Sequence, residues 1–240
     1  MKSLKEYQNY IFDLYGTLVD IHTDEVSIDF WEKICELYNK YSVSYTPVEM
    51  KYSYQRLLRL EEEQLFYEYP EPDVQKVFQN LASRKGKQIP LDQSLEIAKK
   101  FRMFSREYIR LYDGAAELLK KLKQKGKSIY LLSNAQAVFT KPELEILGIR
   151  TCFDGIFLSS EHQCKKPDVH FYQKLLDTYQ LKPAETIMIG NDPVADIQGG
   201  RNAGLDTLYF HSNLSPELTG VVESTFQVLE GRLCALMEMV

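Results

Sequence analysis

An interrupted alternation constrains this chain most. Short β-rich apolar runs (Tyr10–Phe12, Ser128–Leu132, Gly155–Leu158, Thr186–Ile189 and Thr207–Phe210) take turns with helical patterns near 114–125, 135–147, 168–180 and 194–203. The runs are continuous rather than alternating, as in strands buried on both faces of a parallel sheet. In 114–125, Ala115, Leu118, Leu119 and Leu122 fall at i, i+3, i+4 and i+7, one face of a helix. Gly126 and Gly148 sit where helix stops belong. This pattern predicts an α/β fold with a doubly wound parallel sheet.

The break lies between the first run and the second. From Val26 to Tyr108 no strand pattern stands out, only helical patterns rich in Tyr, Leu, Glu and Arg. Pro47, Pro70, Pro72 and Pro90 divide the stretch into about four helices. The expected organisation is a Rossmann-like core of residues 1–20 and 109–240, carrying an inserted all-helical cap domain of residues 21–108. Most tyrosines of that stretch (Tyr38, Tyr41, Tyr45, Tyr52, Tyr54, Tyr67, Tyr69) read as inter-helix packing with wet hydroxyls, leaving one or two to face the site.

Composition removes several classes. With 44% hydrophobic residues, 12 Gly and 9 Pro, the chain is neither disordered nor low-complexity. A net charge of −5 gives no broad basic surface for nucleic acid, and the run Lys120–Lys127 reads as a solvated helix end. Cys35, Cys152, Cys164 and Cys234 lie far apart without CxxC spacing, so neither a zinc site nor a disulfide framework is signalled. The N-terminus lacks an apolar leader and no run of about 18 apolar residues occurs, so the expected location is the cytoplasm.

In an open α/β sheet ligands bind beyond the carboxyl ends of the strands. After the first run comes Asp13-Leu14-Tyr15-Gly16-Thr17; after the second, Ser133-Asn134; after the third, Lys165-Lys166-Pro167-Asp168; after the fourth, Gly190-Asn191-Asp192-Pro193-Val194-Ala195-Asp196. Each has a plain structural explanation. Asp13 can open a turn, Ser133 or Asn134 can cap a helix, Lys166 can be a surface lysine, and Asp192-Pro193 reads as N-cap and first helical residue. Together, at successive strand ends, they assemble carboxylates, a lysine, a hydroxyl and an amide. That set suits a hard cation and an anionic group.

In these residues the chain resembles the haloacid dehalogenase superfamily, in the subgroup with a helical cap inserted after the first motif. Asp13–Thr17 is similar to the nucleophile motif, Leu132-Ser133-Asn134 to the second, Lys166-Pro167-Asp168 to the third and Ile189–Asp196 to the acidic fourth. The resemblance implies a catalytic set of Asp13, Tyr15 and Lys166, with Asp13 forming a covalent aspartyl intermediate and Lys166 offsetting negative charge. It implies that Thr17, Ser133 and Asn134 contact the transferred group. Mg²⁺ would be held by Asp13, the Tyr15 carbonyl and Asp192, with Asn191 and Asp196 behind them.

Two departures matter. Phosphatases of the family carry a second Asp two residues after the nucleophile, where this chain has Tyr15. A phenol with pKa near 10 is a poor general base at neutral pH. The tyrosine resembles the 2-haloacid dehalogenase branch, whose halide leaving group needs no protonation. Asp192 and Asp196, however, keep the acidic fourth motif, which that branch replaces with serine and asparagine. The leading expectation is a Mg²⁺-dependent phosphatase of small phosphorylated metabolites. The alternatives are a metal-independent 2-haloacid dehalogenase, with Arg56 or Arg59 clamping the carboxylate, and a binding protein on a degenerate enzyme fold. Tyr172 reads as a packed helix residue, and His162 and His170 as surface histidines.

Overall fold

The computed structural model describes residues 2–218 and 220–240. In chain order the main elements begin with β1 (Asn9–Phe12), β2 (Val19–Thr23), α1 (Ile28–Asn39), α2 (Pro47–Glu62), α3 (Val74–Ser83) and α4 (Leu91–Ser105). Then come β3 (Arg106–Leu111), α5 (Ala115–Gln124), β4 (Ser128–Ser133), α6 (Ala137–Ile146), β5 (Gly155–Leu158) and α7 (Val169–Tyr179). The last part holds β6 (Thr186–Gly190), a π-helical turn (Pro193–Gln198), α8 (Gly199–Asn202), β7 (Asp206–Phe210), β8 (Phe226–Val228) and α9 (Leu233–Met239).

The main sheet has six parallel strands in the order β5-β4-β1-β6-β7-β8. Strand β1 is flanked by β4 and β6, so the winding reverses beside it. Both faces of the sheet are covered. Tyr10 and Phe12 face one core with Ile129, Leu131, Ile187, Ile189 and the apolar stripe of α5. Ile11 faces the other with Tyr130, Leu132, Met188 and the buried side of α7. Two-sided burial is why these strands read as unbroken apolar runs. Gly126 and Gly148 close helices with φ of +70° and +68°, as their positions suggested.

Helices α1–α4 pack around a core of their own, rich in aromatic rings: Phe30, Trp31, Tyr54, Phe78 and Phe101 meet at centroid distances of 4.9–6.0 Å. Phe139 of α6 stacks on Phe101 at 6.0 Å, joining this core to the sheet side. Of the tyrosine stretch, Tyr38, Tyr45 and Tyr54 are buried among the helices while Tyr52 is exposed, and two of the buried hydroxyls are not wet. Tyr38 donates to the Phe78 carbonyl and Tyr45 to the Leu81 carbonyl, each at 2.8 Å, because burial obliges a phenol to find a protein acceptor.

The strand-free reading of Val26–Tyr108 needs correction at its end. Arg106–Leu111 pairs antiparallel with Val19–Thr23, with Ile21 opposite Ile109. This two-stranded ribbon straddles both expected domain boundaries. Its signal is weak because no residue of β3 is fully buried and its two aliphatic residues, Ile109 and Leu111, stand among Glu107, Tyr108 and Arg110, which are exposed. The ribbon is pinned by buried Asp20, which accepts from Arg110 Nη2 at 2.7 Å and Nε at 2.9 Å. Among the described residues no helix is long and apolar enough to cross a membrane.

Candidate active site

The site is built where β1 ends. The Asp13 N–H donates to the Ile189 carbonyl of β6 at 2.9 Å, which places its side chain at the carboxyl edge of the sheet. The chain then doubles back, with Leu18 and Val19 N–H groups on the Leu14 carbonyl at 2.8 and 2.9 Å. Gly16 makes this turn at φ +89°, and a Cβ there would lie 2.3 Å from Asn191 Nδ2. Both the backbone conformation and the close approach require glycine. Gly16→Ala is therefore expected to cost roughly 1–3 kcal/mol in urea unfolding. A loss below about 0.5 kcal/mol would show that Asn191 swings clear without consequence.

Lys166 is delivered by the loop between β5 and α7. The Asn134 side chain clamps its backbone: Oδ1 accepts the Lys166 N–H at 2.7 Å and Nδ2 donates to the Lys166 carbonyl at 2.9 Å. Asn134 thus has its amide committed to Lys166, so it positions the lysine rather than offering both ends to a transferred group. Lys166 is buried, and its Nζ donates to Asp13 Oδ1 and to Asp196 Oδ1, both at 2.7 Å. Burial alone would lower the ammonium pKa, but the flanking Asp13 and Asp196 carboxylates outweigh it and raise the value. For Asp196 burial dominates, Asp13 adds repulsion and Lys166 opposes both; the carboxyl is pushed up to about 7.

The fourth motif follows β6. Asp196 Oδ2 accepts the Asp192 N–H at 2.9 Å, and Asp192 Oδ1 caps the π-helical turn by accepting from Val194 and Ala195 N–H at 2.8 Å. Gly190 leaves room for the Asp196 carboxyl, since a Cβ there would fall 2.2 Å from it. Buried Tyr172 packs as a helix residue and donates its hydroxyl to the Ala195 carbonyl at 2.5 Å, steadying the same turn.

Asp13, Tyr15, Ser133, Asn134, Lys166, Asn191, Asp192 and Asp196 all line one cavity of about 180 Å³. Thr17 stands beside it, its hydroxyl 3.2 Å from both Asp13 Oδ2 and Asn191 Oδ1. A groove of about 370 Å³ adjoins this cavity at Asp192 and Pro216, and one of about 450 Å³ lies elsewhere, so the grouping of ionisable residues marks this site and not its size.

Tyr15 has a different surrounding from that of an acid or base beside the nucleophile. Its hydroxyl lies 3.0 Å from Thr140 Oγ1 and donates to Glu143 Oε2 at 2.5 Å. Burial, then the Glu143 charge, push the phenol well above its ordinary pKa. Arg56 and Arg59 are exposed on α2 and line neither cavity beside the nucleophile. His170 is a surface residue, whereas His162 is half-buried, stacked on Phe157 at 4.1 Å, with its pKa lowered by burial. Two residues without a sequence signal enter the neighbourhood: Arg102 of α4 and Glu71 from the α2–α3 connection.

Among the described residues no three His, Cys, Asp or Glu side chains form a ready-made metal cage. The cavity instead sets three carboxylates (Asp13, Asp192, Asp196) against one ammonium. A hard divalent cation that keeps several waters suits such an oxygen-rich, under-neutralised set.

A parallel sheet with a carboxylate at its central strand end, ion-paired to a buried lysine, defines an α/β protein with a nucleophile-type acidic site. The model of the haloacid dehalogenase-like hydrolase family matches residues 7–204, and the chain belongs to that family of hydrolases. YfnB of Bacillus subtilis, classed among the HAD hydrolases, is 26% identical over 223 residues, covering 91% of this chain and 90% of that one. The pyrimidine 5′-nucleotidase PynA of Streptococcus pneumoniae is 30% identical over 116 residues, 48% of this chain and about half (49%) of the relative. In fold, the chain is similar to a 2-haloacid dehalogenase from Pseudomonas syringae, with TM-score 0.67 at 17% identity over 97% of each chain. The magnesium-bound crystal structure of YfnB gives TM-score 0.57 at 22% identity, over 97% of this chain and 98% of that one.

Proposed function

We propose that this hydrolase cleaves phosphate monoesters of small metabolites through a covalent intermediate on Asp13, with Mg²⁺ as cofactor. One observation carries the reading: three carboxylates share the cavity with a single lysine. An anionic substrate entering that cavity meets net repulsion unless a divalent cation balances it. The PynA activity and the magnesium bound to YfnB point the same way. The halide-release reading drew on Tyr15, whose hydroxyl is instead turned toward Thr140 and Glu143.

When bound, Mg²⁺ would be held by Asp13, Asp192 and the Tyr15 carbonyl and would offset charge on the phosphoryl oxygens. Asp13 attacks phosphorus, the ester P–O bond breaks, and the leaving group departs as its oxyanion, which takes its proton from water. Water then cleaves the aspartyl phosphate and releases inorganic phosphate. Lys166 holds Asp13 in place and offsets the charge shared by nucleophile and phosphoryl group. Thr17 and Ser133 orient the transferred group.

With the Tyr15 hydroxyl committed to Glu143, no side chain two residues after the nucleophile protonates the leaving oxygen. General acid catalysis contributes about 10²–10⁴-fold, so good leaving groups are favoured. In Mg²⁺, phosphate release from aryl and acyl phosphates is expected to exceed that from alkyl phosphates by about 100-fold or more. Asp13→Asn is expected to abolish both. Release that survives Asp13→Asn, or halide release from a 2-haloacid without metal, overturns the reading.

A further inference from the structure

A second cavity, of about 250 Å³, adjoins the nucleophile. It shares Tyr15 and Asn134 with the first and is walled by Phe139, Gln136, Arg102 and Glu71. Arg102 reaches it from α4, with its guanidinium 5.7 Å from the Tyr15 ring and 5.5 Å from the Phe139 ring. Glu143 holds it with both oxygens, Nε to Oε1 at 2.8 Å and Nη2 to Oε2 at 3.3 Å. Arg102 Nη1 has no hydrogen-bond partner among the described residues, yet it is not sealed from solvent. One edge of a guanidinium held by Glu143 and flanked by two rings is therefore left for a ligand.

The charge balance decides what kind of ligand. Glu143 is 1% exposed and pairs with Arg106 Nη1 at 3.2 Å as well as with Arg102. Glu71 stands in the same cavity and Glu25 lies within electrostatic reach of Arg102. Lys165 and Glu62 also lie within reach of Glu71 and pair with each other at 3.7 Å. Three cationic groups thus face four carboxylates, and among the described residues no positive charge is left over for an anion. Glu71 accepts from Gln136 Nε2 at 2.6 Å and from the Ser159 hydroxyl at 2.9 Å. A carboxylate offers about four acceptor sites, so lone pairs remain for a ligand donor.

We propose that this cavity receives an uncharged, ring-shaped polar leaving group, with Arg102 donating to its acceptor oxygen and Glu71 accepting from its N–H or O–H. Glu143 is the positioning residue that sets this preference: it fixes the Arg102 plane and cancels its charge. The proposal rests on the phosphate-ester reading above. It excludes leaving groups that carry a second anion, because a carboxylate in this cavity meets Glu71 without a free cation.

The test compares 4-carbamoylphenyl phosphate with 4-carboxyphenyl phosphate, which match in shape and differ in charge. In the wild type kcat/KM is expected to favour the carbamoyl substrate by about tenfold or more. Glu143→Gln keeps an acceptor for Arg102 but releases its charge, and the ratio is expected to fall about tenfold toward the carboxylate. Arg102→Gln is expected to raise KM for the carbamoyl substrate about tenfold. A loosened fold lowers both substrates together and leaves the ratio alone. A wild type that prefers the carboxylate, or a ratio that Glu143→Gln does not move, overturns the proposal while leaving phosphatase activity standing. Absence of Asp13-dependent release from both substrates, and from simple aryl and acyl phosphates, overturns both readings.

Discussion

Lys166→Met is expected to lower turnover by about 10³-fold and to cost about 3–5 kcal/mol of stability. The ammonium sits 2.7 Å from each of two buried carboxylates, and among the described residues no other cation lines the cavity. Without it Asp13 and Asp196 face one another, and both face an incoming dianion. The stability loss is expected to depend on pH, with a definite sign. The Asp196 carboxyl lies at about 7 in the folded chain against 3.8 for an ordinary Asp. Between those values the folded state binds more protons than the unfolded one, so stability falls as pH rises through the window. Removing Lys166 takes away the charge that restrained this rise, which widens the window upward. Urea unfolding of wild type and variant at about pH 5 and about pH 8 should therefore show the larger difference at the higher pH. An equal loss at both would mean that the ammonium does not separate two buried charges.

The sheet was legible because two-sided burial leaves a signal that survives in single strands. Tyr10–Phe12 and Ile187–Ile189 sit under helices on both faces and are apolar throughout, the one hydroxyl, of Tyr10, donating to the Leu4 carbonyl. The ribbon of β2 and β3 was not legible, since half of β3 is exposed, β2 buries an Asp beside Val19, and Arg110 is there to meet it. The ionisable centre was legible for a topological reason. The residues following β1, β4, β5 and β6 must converge once the sheet is parallel and its winding reverses beside β1. What could not be read was direction. Nothing in Asp13–Thr17 says that the Tyr15 hydroxyl turns toward α6, or that Asn134 spends its amide on the Lys166 backbone. Arg102 and Glu71 were invisible because helices of the inserted block present many arginines and glutamates in similar patterns. Only packing distinguishes exposed Arg56 and Arg59 from half-buried Arg102.

Glu143 is the residue on which the separate pieces depend, and Glu143→Ala is expected to cost about 3–5 kcal/mol. Its carboxylate is 1% exposed and is met by Arg102 from α4, by Arg106 from β3 and by the Tyr15 hydroxyl from the nucleophile loop. The partners come from two stretches of chain, the α4–β3 junction and the nucleophile loop, so the carboxylate ties the end of the helical block and the start of β3 to the loop that carries Asp13. Truncation leaves two guanidinium groups and a phenol without their shared acceptor. The cost is mainly that of unpaired buried groups rather than of lost attraction. Removing both charges should therefore be milder than removing one: Glu143→Leu combined with Arg102→Met is expected to recover at least half of the loss seen in Glu143→Leu alone. Arg106 does not spoil the comparison, because its side chain is 23% exposed and can turn to water. Urea unfolding of the two single variants and the double variant measures the coupling. Strict additivity, or a single-variant loss under about 1 kcal/mol, would mean that helical block and nucleophile loop are held together elsewhere.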